Sequence, residues 1–274
     1  MRYGFVIPLD DPSLVVDLAV EVEQAGWDAA FTYETIYQMD PWVVLGAMAV
    51  RTERIRLGTL LTPPARRRPW KLASEVATLD RLSRGRAVLC VGLGAPDTGY
   101  ANVGEETGRS ERAELTDECL DICDRLWSGE PFTFEGKHHR VEWPPREGQE
   151  YRPVQEPRPP VWCVAQVGAE KPMRRALHWD GCLPCKRTPE NPCAPLAAAD
   201  VSELRAYATA NSTGDRRFDI ALEGTTPVGD HQAGVDKVEP LAEAGATWWI
   251  ESMWETPGGV DAVRARIAQG PPRP

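Results

Sequence analysis

The chain has 274 residues, of which 42% are hydrophobic and 26% charged, and 31 basic against 41 acidic side chains leave a formal charge of −10. That balance argues against a nucleic-acid partner, and no apolar run approaches the ~20 residues needed to cross a bilayer. The length allows one large barrel or two small domains. The opening MRYGFVIPLDDP has too short an apolar core for a secretory leader and runs straight into acidic residues, so a cytoplasmic protein is expected. Seven cysteines is an odd number, and Cys90 and Cys163 fall inside expected strands, which fits reduced core thiols better than a disulfide framework.

A first strand is expected over 3–7, and Asp11 with Pro12 caps a helix whose apolar stripe is Leu14, Leu18, Val22 and Ala25. Gly26 ends that helix and a second strand runs over 28–33. A helix over 41–51, a strand over 55–61 and a helix over 69–82 follow, then a strand over 86–92. Its AVLCV run (87–91) has no polar alternation, the pattern of a strand covered on both faces. Gly92 and Gly94 come directly after it, where a backbone can approach a flat ligand. A long helix over 109–127 precedes a polar, proline-rich excursion over 128–160, whose FTFEGKHHRVEW core reads as a hairpin outside the barrel.

The fifth strand is placed at 161–165, a short helix at 171–178 and a weak sixth strand at 181–184. A proline-rich loop over 185–199 leads to a helix at 201–210, a strand at 218–223, a helix at 231–244, a strand at 247–252 and a closing helix at 260–269. Eight βα units in this length imply a (β/α)8 TIM barrel occupying the whole chain, with 128–160 as its insertion. An open doubly wound sheet is the alternative, but it normally stops at five or six strands.

The segment TLDRLSRGRAVLCVGLG (78–94) resembles a signature of the luciferase-like flavin-dependent monooxygenases, and the likeness continues elsewhere. TERIRLGTLLTPPARRRP (52–69), Arg112–Trp127 with SGEPFTFEGKHHRV after it, and PPVWCVA followed by RRALHWDG (159–181) resemble further blocks of that family in the same order. The resemblance implies a barrel that binds reduced FMN, or the deazaflavin coenzyme F420, at the strand C-termini. It implies first monooxygenation of a small organic substrate with reduced FMN, O2 and a separate flavin reductase, with F420-dependent hydride transfer as the alternative, and often a homodimer.

At the end of the second strand the family commonly carries Asp-His, whereas this chain has Tyr33, Glu34 and Thr35. Thr35 cannot exchange protons near neutral pH; Glu34 either does so, with a pKa raised by desolvation, or hydrogen-bonds a loop backbone. A third reading of the departure is a flavin-binding barrel that no longer catalyses. The resemblance assigns Thr59 and Thr62 to flavin contact, although Thr59 equally suits an ordinary strand. Gly92, Gly94 and Ala95 would border the cofactor. Gln166, Val167 and Gly168, opening a helix, would hold its phosphate, with Arg174 adding charge and Arg175 on a solvated face.

None of the four histidines ends an expected strand, and neither a G-x-S-x-G elbow nor a P-loop occurs, which argues against hydrolase and nucleotide-triphosphate chemistry. A barrel mouth so poor in titratable groups borrows its reactivity from a cofactor. Cys182, Cys185 and Cys193, with His178 upstream, either bind zinc or belong to an irregular loop, the second being preferred. Trp249 is expected to pack in the barrel, and Trp254 either lines a substrate pocket or anchors a loop.

Overall fold

The strands are short and apolar, and closing them on one another leaves none of their backbone groups at a bare edge. The structure, a computed structural model, describes residues 1–95, 99–145, 152–191, 193–211, 217–255 and 258–274. In it β1 (Arg2–Val6), β2 (Ala29–Thr32), β3 (Arg56–Thr59), β4 (Ala87–Val91), β7 (Val161–Gln166), β8 (Gly181–Cys185), β9 (Asp219–Gly224) and β10 (Trp248–Ser252) form a closed parallel barrel. The seam pairs the first strand with the last, Arg2 opposite Trp248 and Val6 opposite Ser252. This is the expected (β/α)8 barrel.

Helices α1 (Pro12–Gln24), α2 (Pro41–Arg51), α3 (Pro69–Leu82), α4 (Arg109–Ser128), α5 (Glu170–His178), α6 (Ala198–Asn211), α7 (His231–Glu243) and α8 (Gly259–Ala268) alternate with the strands. Asp11 caps α1 by accepting from the Leu14 amide at 3.0 Å, and Asp40 caps α2 through the Trp42 and Val43 amides. The buried face of α1 is Val15, Leu18, Ala19 and Val22, with Leu14 only half-buried. α6 begins at Ala198, earlier than expected, and the expected loop over 185–199 carries the end of β8 and a bridge between Lys186 and Ala194. Pro192 in that loop, and 97–98 of the loop before α4, lie outside the described residues.

Apolar residues separate into two cores, as the unalternating strands require. Ala87, Leu89 and Val91 of β4 face the helices, while Val88 and Cys90 face the barrel axis. Inside the barrel Trp162 meets Trp248 edge-on at 5.2 Å between centroids, and Phe31 lies 6.3 Å from Trp162. Rings of this size leave no room beside them. A Cβ at Gly4 would fall 2.7 Å from Phe31, and one at Gly58 would fall 2.3 Å from the Val88 carbonyl oxygen.

The expected hairpin is present between α4 and β7 as β5 (Phe132–Glu135) paired antiparallel with β6 (Arg140–Trp143). It lies outside the barrel and is anchored to α4. The Glu118 carboxylate accepts from the amides of Lys137, His138 and His139 at 2.6–3.1 Å, and Arg125 stacks on Phe132 and Phe134. Residues 146–151 of the excursion lie outside the described residues. Its return is tied down by the fully buried Asp80, whose carboxylate accepts from the Val154 amide at 2.7 Å and the Gln155 amide at 2.9 Å.

Candidate active site

A cavity of about 860 Å³ opens at the C-terminal ends of the strands, where barrel enzymes do their chemistry. Its floor is apolar, formed by Leu60, Leu61, Val91 and Val164. Among the described residues five charged side chains line it: Glu34, Arg109, Arg112, Arg175 and Arg187. Against a chain of net charge −10, this is a local reversal of sign.

Glu34 leaves β2 with its side chain 3% exposed. Its Oε1 accepts from Arg66 at 2.9 Å and lies 3.0 Å from Arg67; these arginines also hold Glu105 at 2.7 Å and Glu75 at 3.0 Å. The pair comes from the ARRRP run directly after β3, where Pro64–Arg66 makes one turn of 3-10 helix. With Lys71 on Glu75 at 3.0 Å, three cations therefore serve three carboxylates. Glu34 Oε2 is buried without a hydrogen-bond partner. Burial raises the Glu34 carboxyl above its ordinary value, and Arg67, Arg66 and the Thr62 hydroxyl oppose the rise without cancelling it. At Arg67 burial works the other way, but Glu34 and Glu75 together outweigh it and raise the guanidinium. The expected alternative, in which Glu34 only bonds a loop backbone, is replaced by this ion-pair network. Thr35 lines the cavity, but its hydroxyl is bonded to Gln38 Oε1 at 2.8 Å.

Gly92, Gly94 and Ala95 border the cavity, and the glycines make room for the protein's own side chains. A Cβ at Gly92 would fall 2.7 Å from Leu61, and one at Gly94, where φ is +76°, would fall 2.0 Å from the Tyr100 hydroxyl. The Leu93 and Gly94 carbonyls accept from Arg112 Nη1 at 2.7 and 3.0 Å, while Arg112 Nε is buried with no partner. Tyr100 lies between Arg66 and Arg112, at 5.2 and 5.8 Å.

Thr59 and Thr62 are fully buried and bonded to each other at 2.8 Å, below the cavity wall rather than in it. In the expected phosphate loop only Gln166 reaches the cavity. Val167 donates its amide to the Cys185 carbonyl and Gly168 turns at φ +80°. The two arginines exchange their expected roles. Arg174 is 75% exposed and 3.9 Å from Glu170, whereas Arg175 is buried to 12%, pairs with Asp117 and lines the cavity. The reason is helical phase, since successive residues on α5 point about 100° apart.

Tyr33 and Trp254 pack edge-on at 5.5 Å in the cavity wall, and the Trp254 indole donates to Glu223 at 2.7 Å. Trp254 is thus pocket lining and anchor at once, while Trp249 is buried against the helices. Cys182 faces the helix side of the barrel and is fully buried, whereas Cys185 and Cys193 line the cavity. Among the described residues no cluster of three or more His, Cys, Asp or Glu side chains can hold a metal. No histidine lines the cavity; His138 and His139 bind Glu114 and Glu118 on the hairpin anchor.

A model of the luciferase-like monooxygenases matches residues 6–246. The chain belongs to that family. Among curated proteins it is 34% identical over 155 residues to an F420-dependent glucose-6-phosphate dehydrogenase from Nakamurella multipartita, a match over 52% of this chain and 45% of the relative. The chain therefore spans about half the length of the curated relatives it matches. A coenzyme F420-dependent tetrahydromethanopterin reductase from Methanopyrus kandleri superimposes with a TM-score of 0.77 over 98% of both chains at 18% identity. A monooxygenase from Streptomyces bottropensis gives 0.67 over 89% of this chain and 77% of its own, at 23%. At such identities these two likenesses are of fold. Proteins named in these comparisons include F420-dependent enzymes and a monooxygenase in complex with FMN.

The cavity suits such a cofactor. Its apolar floor accommodates a flat ring, and the unpartnered Arg112 Nε and the cationic wall suit an anionic tail. Arg109, Arg112 and Arg187 carry no role in the reading from sequence. The signal for two of them was legible: 109 and 112 stand three apart on one helix, so they share a face.

Proposed function

We propose that this luciferase-like barrel is an F420-dependent oxidoreductase acting on a small hydroxyl-bearing substrate. The observation that carries the reading is the cavity wall of four arginines and one carboxylate in an acidic chain. A single phosphate is met by one or two such groups; F420, with a phosphodiester and several carboxylates, uses more of them. The F420-dependent dehydrogenases at 31–34% identity support the same choice.

F420, when bound, supplies a two-electron hydride acceptor at the strand ends. The chain's own part is to orient the substrate, keep water out and move one proton. Glu34 Oε2 is the acceptor for the hydroxyl proton, because Oε1 is occupied by Arg66 and Arg67 and Oε2 has no partner. Arg109, Arg112 and Arg187 hold the anionic cofactor, and Tyr33 and Trp254 close the substrate side.

A reduced-FMN monooxygenase fed by a separate reductase is the second reading. It is favoured by the lack of a cavity histidine, since reaction of reduced flavin with O2 needs no side-chain acid at that position. Equilibrium titration of the purified protein with F420 and with FMN decides between them. Tight F420 binding and weak FMN binding are expected. The reverse order overturns the proposal, as does failure of Glu34→Gln to slow F420 reduction by an alcohol.

A further inference from the structure

β8 ends at Cys185, and the chain then folds back so that Lys186 and Ala194 exchange backbone hydrogen bonds of 3.1 and 2.7 Å. Antiparallel pairing of 186 with 194 sets residues 185 and 193 diagonally across one face, within reach of each other's side chains. Both side chains line the cavity, Cys193 on its exposed rim, and the Cys193 thiol supports Cys185 by hydrogen bonding. All seven cysteines are free thiols, and the other five are buried.

We propose that Cys185 and Cys193 form a peroxide-sensitive dithiol in the cavity wall, Cys185 attacking and Cys193 resolving. The Cys193 hydrogen bond lowers the Cys185 pKa, burial opposes it, and Arg109 and Arg187 add to the lowering. Cys193 is raised, first by the same bond, then by burial and by the nearby Cys185 charge. That restraint disappears once Cys185 carries oxygen instead of charge. The Cys185 thiolate attacks one oxygen of hydrogen peroxide, the O–O bond breaks, and a sulfenic acid forms while hydroxide leaves and is protonated. Cys193 then gives up its proton and attacks the Cys185 sulfur. The S–O bond breaks, the S–S bond forms, and the departing hydroxide takes that proton. Two thiols are oxidised by two electrons, and one peroxide is reduced to two waters.

Alkylation of the native full-length protein at neutral pH should label Cys185 about tenfold faster than Cys193. Peroxide treatment should remove two hydrogens from the intact mass, yield a cross-linked Cys185–Cys193 peptide, and be reversed by dithiothreitol. In Cys193→Ser, dimedone should trap a sulfenic acid on Cys185; in Cys185→Ser neither adduct nor cross-link should form. Equal or reversed labelling, or a cross-link through other cysteines, overturns the proposal. So does oxidation of the wild type to sulfinic acid without a cross-link. Circular dichroism checks that the variants fold, and the wild-type labelling order and cross-link map decide the matter if one does not.

Discussion

Glu34 combines deep burial, two arginines on one oxygen and no partner on the other, and its protonation sets the chemistry proposed for it. Because its pKa is raised, the ionised base is present above that raised value and is lost as pH falls through it. The acid limb of the pH–rate profile is therefore expected above the ordinary glutamate range. Glu34→Gln should remove that limb and slow turnover about 10²–10⁴-fold while cofactor titration still saturates. The arginines separate by position in the same way. Arg187→Ala should weaken binding of the anionic cofactor roughly tenfold, the worth of about one charge-assisted contact. Arg174→Ala, on the solvent side of α5, should leave the isotherm unchanged.

At the scale of elements, α8 is locked to the barrel by a buried charge network that nothing in the reading from sequence points to. Arg266 and Glu251 are 1% and 0% exposed and 3.1 Å apart, and both bind Thr226. Arg266→Ala leaves Glu251 buried and uncompensated, so urea unfolding should register a loss of about 3–5 kcal/mol; Arg266→Met with Glu251→Leu should lose less. The hairpin is anchored differently. Burial works against the Glu118 charge, but the amides of 137–139 and the His139 ring outweigh it and lower the carboxyl. Anchoring is therefore complete above the ordinary glutamate pKa and lost as pH falls through the lowered one. Glu118→Ala should speed hydrogen exchange across 132–143 without altering cavity binding. The elements were legible in sequence because AVLCV lacks alternation and Asp-Pro and Gly punctuate the helices. The site was legible only where it follows a strand end, as at Tyr33, Glu34, Gly92 and Gln166. Thr59 falls off the cavity because strand pleat decides which face a residue takes, and Thr62, beyond the end of β3, turns to bond it. Arg174 and Arg175 were exchanged because neighbours on a helix point about 100° apart, and only packing against α4 shows which of them turns inward.

Across the whole molecule, a chain of net charge −10 gathers four arginines around the cavity at one end of the barrel. An anionic cofactor is repelled by most of the surface and drawn in at the mouth, so raising ionic strength should lower its association rate more than its dissociation rate rises, as stopped-flow mixing would record. The seam between β1 and β10 bears on synthesis in the cell. Arg2 pairs with Trp248, 246 residues later in the chain, and Val6 pairs with Ser252. At about 5–20 residues per second the first strand waits roughly ten to fifty seconds for its second neighbour. Until then the partial barrel is an open, curved sheet with apolar edges at β1 and at whichever strand emerged last. Ribosome-bound chains arrested before residue 248 should be cleaved readily by added protease and should recruit holdase chaperones. Those released past α8 should resist both.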